Sequence, residues 1–409
     1  MANIKPFKAL RPQAQFAKQV ASKPYDVLTS AEAKLEAQGN PNSFLHITKS
    51  EIDLPENIDV HGEEVYEKAK ENLNAFIKRE ILFSEDKECF YIYRLNMNGK
   101  SQTGLVALSS IDDYEHNIIK KHELTRPDKE QDRINHIKAT GAQTGNVFLA
   151  YQNNDALDTL IEKWTNKKTA VYDFVADDGI AHTLWIISDD KSIKQVKEIF
   201  QSQVNCTYIA DGHHRAASAA KVRQALNSKT EAADYFLTTL YPANQLQIMD
   251  YNRVIKTLNG LSETEFLQAL QNDFDFEEQL SAYKPQQPHT FGLYINGKWY
   301  KLTSKEGTYS NDPIGVLDLT ILQNNVLSKY LNIHDQRTDK NIDFVGGIRG
   351  LTELEKRVDS GGCVMAFSLY PVTIEQLFAI ADSGNIMPPK STWFEPKLRD
   401  GIVTHLIYE

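Results

Sequence analysis

The residues of this chain best suited to chemistry lie together in Tyr208-Ile209-Ala210-Asp211-Gly212-His213-His214-Arg215, followed at once by Ala216, Ala217, Ser218, Ala219 and Ala220. An apolar run of strand type reaches an Asp-Gly turn, and a helix-forming stretch then opens with two imidazoles and a guanidinium. Such a junction aims unpaired backbone N–H groups, the positive end of the helix dipole and Arg215 at one point, which is how proteins hold phosphate. Asp211 adds a carboxylate beside that anion site. Anion cradle, acid and imidazole together are the components of phosphoryl transfer. An ordinary Asp cap with a solvated first turn would use the same residue types, but charge packed this densely at a strand-helix junction more often marks a site. His213 and His214 are poorly placed to chelate one metal as a pair, because neighbouring helical residues diverge by about 100° and two-His helix sites use i, i+4 spacing.

Two further stretches could meet an anion. In Asp343-Phe344-Val345-Gly346-Gly347-Ile348-Arg349-Gly350, glycines and Arg349 stand just ahead of a helical Leu351 to Val358, where Gly347 would let backbone approach a phosphate or simply make a turn. The loop Met387 to Lys397 is stiffened by Pro388, Pro389 and Pro396, and presents Lys390, Ser391 and Thr392 to a carboxylate, a phosphate or water. A third candidate fails: Gly292, Gly297 and Lys298 imitate a P-loop, but Trp299 stands where Ser or Thr must ligate Mg²⁺. The alternation of Phe291, Leu293 and Ile295 makes that stretch a hairpin.

Positioning these residues requires a framework. Ile4 to Asp26 reads as extended segments and turns, Ser30 to Gln38 as a short helix, and Val65, Ala69, Leu73, Phe76 and Ile77 as one face of a longer one. Phe90 to Leu95 and Thr103 to Leu108 are strands about an Asn98-Gly99 turn; Val147 to Tyr151 and Leu184 to Ile187 add more sheet. Gln195 to Phe200 is helical and feeds the strand before Asp211. Beyond the Arg215 helix come a helix at Glu263 to Asn272, a hairpin about Asn296-Gly297, a strand at Val364 to Tyr370, and a helix capped by Thr373 with Gln376 and stopped by Gly384.

Composition bounds the function. At 409 residues, 41% hydrophobic and 24% charged, the chain is long enough for two or three domains with sizeable cores. A net charge of -10 without a Lys/Arg stripe argues against a nucleic-acid partner. Cys89, Cys206 and Cys363 are scattered and odd in number, so neither a disulfide framework nor a zinc knuckle is expected, and a cytoplasmic location fits. Lys5, Lys8 and Arg11 precede no apolar run, and no stretch approaches the ~18 apolar residues of a membrane span, so neither a signal peptide nor a membrane partner is expected.

The Asp-Gly-His-His-Arg turn resembles the phosphate-gripping turn of the ParB/sulfiredoxin superfamily, and more closely the free-serine kinases of that group. Lys121-His122-Glu123, Asp211 to Arg215, and the stretch from Glu355 to Lys390-Ser391-Thr392 carry this likeness. From Pro6-Phe7 and Pro24-Tyr25-Asp26-Val27 to Ser391-Thr392-Trp393-Phe394-Glu395-Pro396-Lys397, the layout also resembles, over nearly its full length, the DUF1015 family of unknown function. The kinase resemblance implies transfer of a phosphoryl group between ATP or ADP and free L-serine or O-phosphoserine, in either direction, with Mg²⁺ as cofactor. It implies Glu123 as base toward the serine hydroxyl, and Asp211 as its assistant or as a ligand of Mg²⁺. Gly212, His213, His214 and Arg215 would bind nucleotide phosphates, with Gly347 and Arg349 as further candidates, the two histidines standing among the catalytic groups. Lys390, Ser391 and Thr392 would hold phosphoserine. Trp393 and Phe394 depart from the basic residues that follow in the kinase pattern, so part of that pocket must be built differently.

The expected fold is mixed α/β: a ParB/sulfiredoxin-like catalytic core from residues 110–233 and 317–409, an N-terminal extension over 1–109, and an inserted α+β subdomain over 234–316. The competing reading is a ParB-like nucleotide-binding module without small-molecule catalysis, disfavoured by the acidic balance. Sulfiredoxin-like repair would need a cysteine in the turn where this chain has His213 and His214. Reaction direction, choice of nucleotide and oligomeric state are left open by the sequence.

Overall fold

Asn98 and Gly99 both take positive φ, 53° and 78°, and this two-residue turn folds Phe90–Met97 back on Lys100–Ser110 as a hairpin. In the computed structural model, which describes residues 1–226 and 230–408, the hairpin is the centre of a nine-stranded sheet. In order across the sheet, the strands are Ile119–Lys120, Thr207–Asp211, Val147–Tyr151, Tyr235–Pro242, Lys100–Ser110, Phe90–Met97, Ala181–Ile187 and Tyr172–Val175, and Ile4–Lys5 also pairs with Lys100–Ser110. Most neighbours are antiparallel. Two pairs among the described residues are parallel: Ile119–Lys120 lies beside Thr207 and Tyr208, and Val147–Tyr151 runs beside Tyr235–Pro242 with Val147 opposite Thr238.

Alternation along these strands sends one set of side chains to each face. Phe90, Ile92, Leu105, Ala107, Val147, Leu149, Ile209 and Leu240 form one core with Leu157 and Ile161 of helix Asp155–Lys167, Val196 and Phe200 of helix Asp190–Gln203, and Ala216, Ala219 and Ala220 of helix His213–Leu226. The alanines let that last helix lie close to the sheet. Full burial of a side chain such as Phe200 stabilises by roughly 1.5–3 kcal/mol. Tyr91, Tyr93, Phe148, Tyr208 and Tyr241 occupy the alternate positions and are also buried.

The chain divides into two compact units, Met1–Leu246 with Pro396–Glu409, and Gln247–Glu395. The second unit has a six-stranded antiparallel sheet in the order Phe274–Gln279, Lys298–Ser304, Thr290–Ile295, Met365–Leu369, Tyr251–Ile255, Ile342–Gly346. Helices Glu263–Leu270 and Ile374–Asp382 pack on one face of it and Leu351–Asp359 on the other.

These sheets correct the expected domain limits. The boundary at 109/110 falls inside the strand Lys100–Ser110, and that at 316/317 divides a stretch whose strands on both sides build one sheet. Residues 317–395 therefore belong with the expected insertion rather than with 110–233. Strand pairing between distant segments, invisible in local composition, sets the true limits. Smaller corrections follow. Ile4 to Asp26 contains a one-turn helix, Ala17–Val20, and Ile77 is 39% exposed rather than on the buried face of helix Glu63–Lys78. Both expected features at Thr373 and Gln376 are present as a reciprocal cap. Among the described residues no helix is long and apolar enough to cross a membrane.

Candidate active site

The strand Thr207–Asp211 does not run straight. Ile209 pairs with Leu149, but Phe148 is paired with Asp211 instead of Ala210, so one extra residue bulges the strand just before the turn. Cross-strand partners share a face, and the bulge therefore puts Asp211 on the side of Phe148, opposite the helix-covered core that takes Ile209. Gly212 follows at φ +98°, and a Cβ there would lie 3.2 Å from the Arg215 guanidinium and 3.4 Å from Val147 Cα. The backbone angle favours glycine, and a Cβ would press on Arg215 and Val147.

Helix His213–Leu226 then turns Arg215 back over this bend. Its Nη2 donates to Asp211 Oδ2 at 3.1 Å and to Asp26 Oδ2 at 3.4 Å, while Nη1 donates to the Asn146 carbonyl. Nε is buried without a hydrogen-bond partner among the described residues. Burial opposes the charge on Arg215, but Asp26 and Asp211 outweigh it and hold the group above its usual range. Lys397 Nζ lies 3.5 Å from Asp211 Oδ2. Burial disfavours the Asp211 carboxylate, yet Lys397 and Arg215 prevail and hold its pKa well below the usual carboxylate range. Asp211 is thus an anchored anion, poor as a base.

The parallel neighbour supplies the rest. Ile119 lies opposite Thr207 and Lys120 opposite Tyr208, so the residues after Lys120 run on beside the end of the strand that carries Asp211. His122 and His213 meet edge to face, ring centroids 4.5 Å apart at 86°. Glu123 Oε2 is 3.9 Å from His213 Nδ1, and its side chain is 38% exposed. Both ring nitrogens of His122 and Nε2 of His213 are buried without hydrogen-bond partners among the described residues. Burial pushes the His122 imidazole down to about 4 and His213 well below its ordinary value, so both rings are neutral at pH 7.

His214 faces another way. Its Nε2 accepts the Arg126 backbone N–H at 2.9 Å, just ahead of helix Pro127–Thr140, which fixes the first turn of one helix to the start of another. The structure thus brings Glu123, Asp211, Gly212, His213 and Arg215 together in the first unit and gives His214 a positioning contact. Asp26, His122 and Lys397 join them, although sequence reasoning assigns them no role; His122 adjoins Glu123, and Asp26 and Lys397 sit in the Tyr25-Asp26 and Pro396-Lys397 segments, which offer the available signal.

The other candidates lie in the second unit. A Cβ on Gly347 would come within 2.4 Å of Asp250 Oδ1, so a carboxylate occupies the space a phosphate would need. Arg349 is exposed, 4.0 Å from Glu353. This corrects the expectation that Gly347 and Arg349 form a phosphate cradle: the glycine accommodates Asp250. Lys390 has φ +57° and an exposed side chain. The Pro389 and Lys390 carbonyls accept from Nη2 of the fully buried Arg253 at 3.3 and 3.0 Å, and the Ser391 hydroxyl donates to the Pro388 carbonyl. Arg253 braces this loop, and burial pushes its guanidinium down to about 9. Thr392 is half-buried in the same loop.

Asp211 does not fit the role of Mg²⁺ ligand. Its Oδ2 faces two cations, Arg215 and Lys397, which already balance its charge, whereas Mg²⁺ calls for carboxylate and phosphate oxygens in near-octahedral array.

A family model described as "Protein of unknown function (DUF1015)" matches residues 4–320. No curated protein matches the sequence. Similar solved structures include a free serine kinase in complex with AMP, 12% identical, covering 72% of this chain and 91% of that one at a TM-score of 0.38. A conserved hypothetical protein from Pyrococcus furiosus is 16% identical, with coverage of 73% and 94% and a TM-score of 0.37. SbnI with C-terminal truncation from Staphylococcus aureus is 12% identical, with coverage of 73% and 86% and a TM-score of 0.39.

Proposed function

The chain belongs to the DUF1015 family, and we propose that it is a nucleotide-dependent phosphotransferase acting on free L-serine or O-phosphoserine. The observation that carries this reading is the grouping of Arg215, Lys397, Asp211, His213 and Glu123 about the first turn of helix His213–Leu226. The first N–H groups of a helix have no acceptor within it and favour anions. Arg215 and Lys397 add two cations at the same place, an arrangement suited to phosphate.

In the serine-to-phosphoserine direction, Glu123 accepts the hydroxyl proton while the serine oxygen bonds to the transferred phosphorus and the bond from phosphorus to the nucleotide oxygen breaks. Asp211, held ionised by its cations, orients Arg215 and Lys397 instead of taking a proton. His213, neutral, stands with Nδ1 3.9 Å from Glu123 Oε2 and lines the site beside that carboxylate, and His214 fixes the turn through Arg126. By their resemblance to the phosphoserine loop, Lys390, Ser391 and Thr392 are proposed as phosphoserine-binding residues of the second unit. The reverse direction uses the same groups with Glu123 returning the proton.

The test is incubation of the full chain with L-serine plus ATP or ADP, and separately with O-phosphoserine with and without AMP or ADP, followed by phosphorus NMR. Growth or loss of the phosphoserine resonance in at least one combination is expected. No phosphorus exchange in any of them removes the reading.

A further inference from the structure

We propose that His122, His213 and Glu123 form a binding site for a divalent first-row transition metal ion, of which Zn²⁺ is the test case. One ligand atom from each of the three residues lies within 4.8 Å of the others, a spacing from which small side-chain adjustments can close on one ion. The donors come from separate segments, His122 and Glu123 beyond the strand Ile119–Lys120 and His213 from the start of its helix.

A second observation points the same way. His122 is 1% exposed and His213 5%, and three of their four ring nitrogens have no hydrogen-bond partner among the described residues. Buried polar atoms are almost always satisfied, and both ring nitrogens of His122 with Nε2 of His213 call for a missing partner. A metal ion supplies one that accepts lone pairs from both rings.

The donor set selects the ion. Two imidazoles with one carboxylate suit Zn²⁺, Fe²⁺, Co²⁺ or Ni²⁺, while Mg²⁺ and Ca²⁺ prefer oxygen throughout. Three protein ligands leave coordination positions open, as in catalytic centres, and the partly exposed Glu123 lies on the solvent side where a small molecule could reach them. The site goes beyond the phosphotransferase reading and does not depend on it. Where both hold, one oxygen of Glu123 on the ion leaves the other for the serine hydroxyl.

The experiment uses the full chain, stripped with a chelator and titrated with Co²⁺ and then Zn²⁺, without serine or nucleotide. One equivalent of Co²⁺ with visible d–d absorption, displaced by one equivalent of Zn²⁺, is expected. His122→Gln, His213→Gln and Glu123→Gln should each weaken binding by at least the roughly 10–100-fold that loss of a mere supporting partner costs, whereas His116→Ala, at an exposed histidine, should leave it unchanged. Circular dichroism checks folding, and Glu123→Gln, at the most exposed of the three ligands, decides the matter should either histidine variant unfold. Failure to bind either metal, or equal affinity in Glu123→Gln, overturns the proposal. Because no phosphoryl chemistry is read, that failure is distinct from failure of the phosphotransferase assay.

Discussion

Arg215 Nη2 and Asp211 Oδ2 stand 3.1 Å apart across a single turn of chain, and Lys397 approaches the same oxygen from the opposite end of the sequence at 3.5 Å. One carboxylate oxygen thus gathers two cations beside a helix N-terminus. The acid's value lies in what it holds in place.

Asp211→Asn keeps the shape and one acceptor while removing the charge that orders Arg215 and Lys397. Turnover should fall by at least about 100-fold, the scale set by losing one preorganised donor at a reacting centre. The melting temperature should move by only a few degrees, since Arg215 retains Asp26 and the Asn146 carbonyl. Parallel assays of phosphoserine turnover and thermal unfolding check this; collapse of both together would make Asp211 a structural cap.

Lys397→Met removes the first cation that holds Asp211 ionised. Asp211 has a folded pKa below its unfolded value, so it contributes stability above the ordinary carboxylate range that is lost as pH falls through the folded pKa. The substitution should raise the folded pKa, moving that loss to higher pH. Acid unfolding of the two proteins, or carboxyl NMR titration of Asp211, reads the shift.

Gly212→Ala places a side chain at φ +98° against the Arg215 guanidinium. Left-handed backbone alone costs about 1–2 kcal/mol for a residue with a Cβ, and displacement of Arg215 adds to it. A lower urea midpoint with weaker binding of ADP is expected, measured by denaturation and calorimetry.

Asp318 tests the pH response of the second unit. It is buried, accepts the His289 backbone N–H at 2.8 Å through Oδ1, and leaves Oδ2 without a partner among the described residues, so burial pushes its carboxyl up to about 7. A raised folded pKa means its contribution is fully present below the unfolded value of about 4 and is lost as pH rises toward 7. Asp318→Asn preserves the His289 contact and should flatten this decline. Melting curves from about pH 4 to about pH 8 should show the variant gaining on the parent as pH rises.

The Asp211–Arg215 turn was legible because strand, glycine, helix and charge follow one another within a few residues. Its other half was harder to read. Nothing local announces that the two-residue strand Ile119–Lys120 lies parallel to Thr207 and Tyr208, and only that pairing brings His122 to His213. Lys397 was obscured similarly, standing at the end of a loop while its ammonium faces Asp211. The hairpin about Asn98-Gly99 followed directly from turn chemistry, but the domain limits did not, because strands on both sides of residue 316 join one sheet. Gly347 misled for a related reason: sequence reveals that a glycine is small, but not that Asp250 fills the space beside it.

The irregularity at Ala210 makes the centre depend on odd-even counting as well as on composition. Were the strand straight, Ala210 would fall opposite Phe148 and Asp211 opposite Val147, turning the carboxylate among aliphatic side chains. A relative could keep every reactive group of this turn and still be inert if its numbering along that strand differed by one.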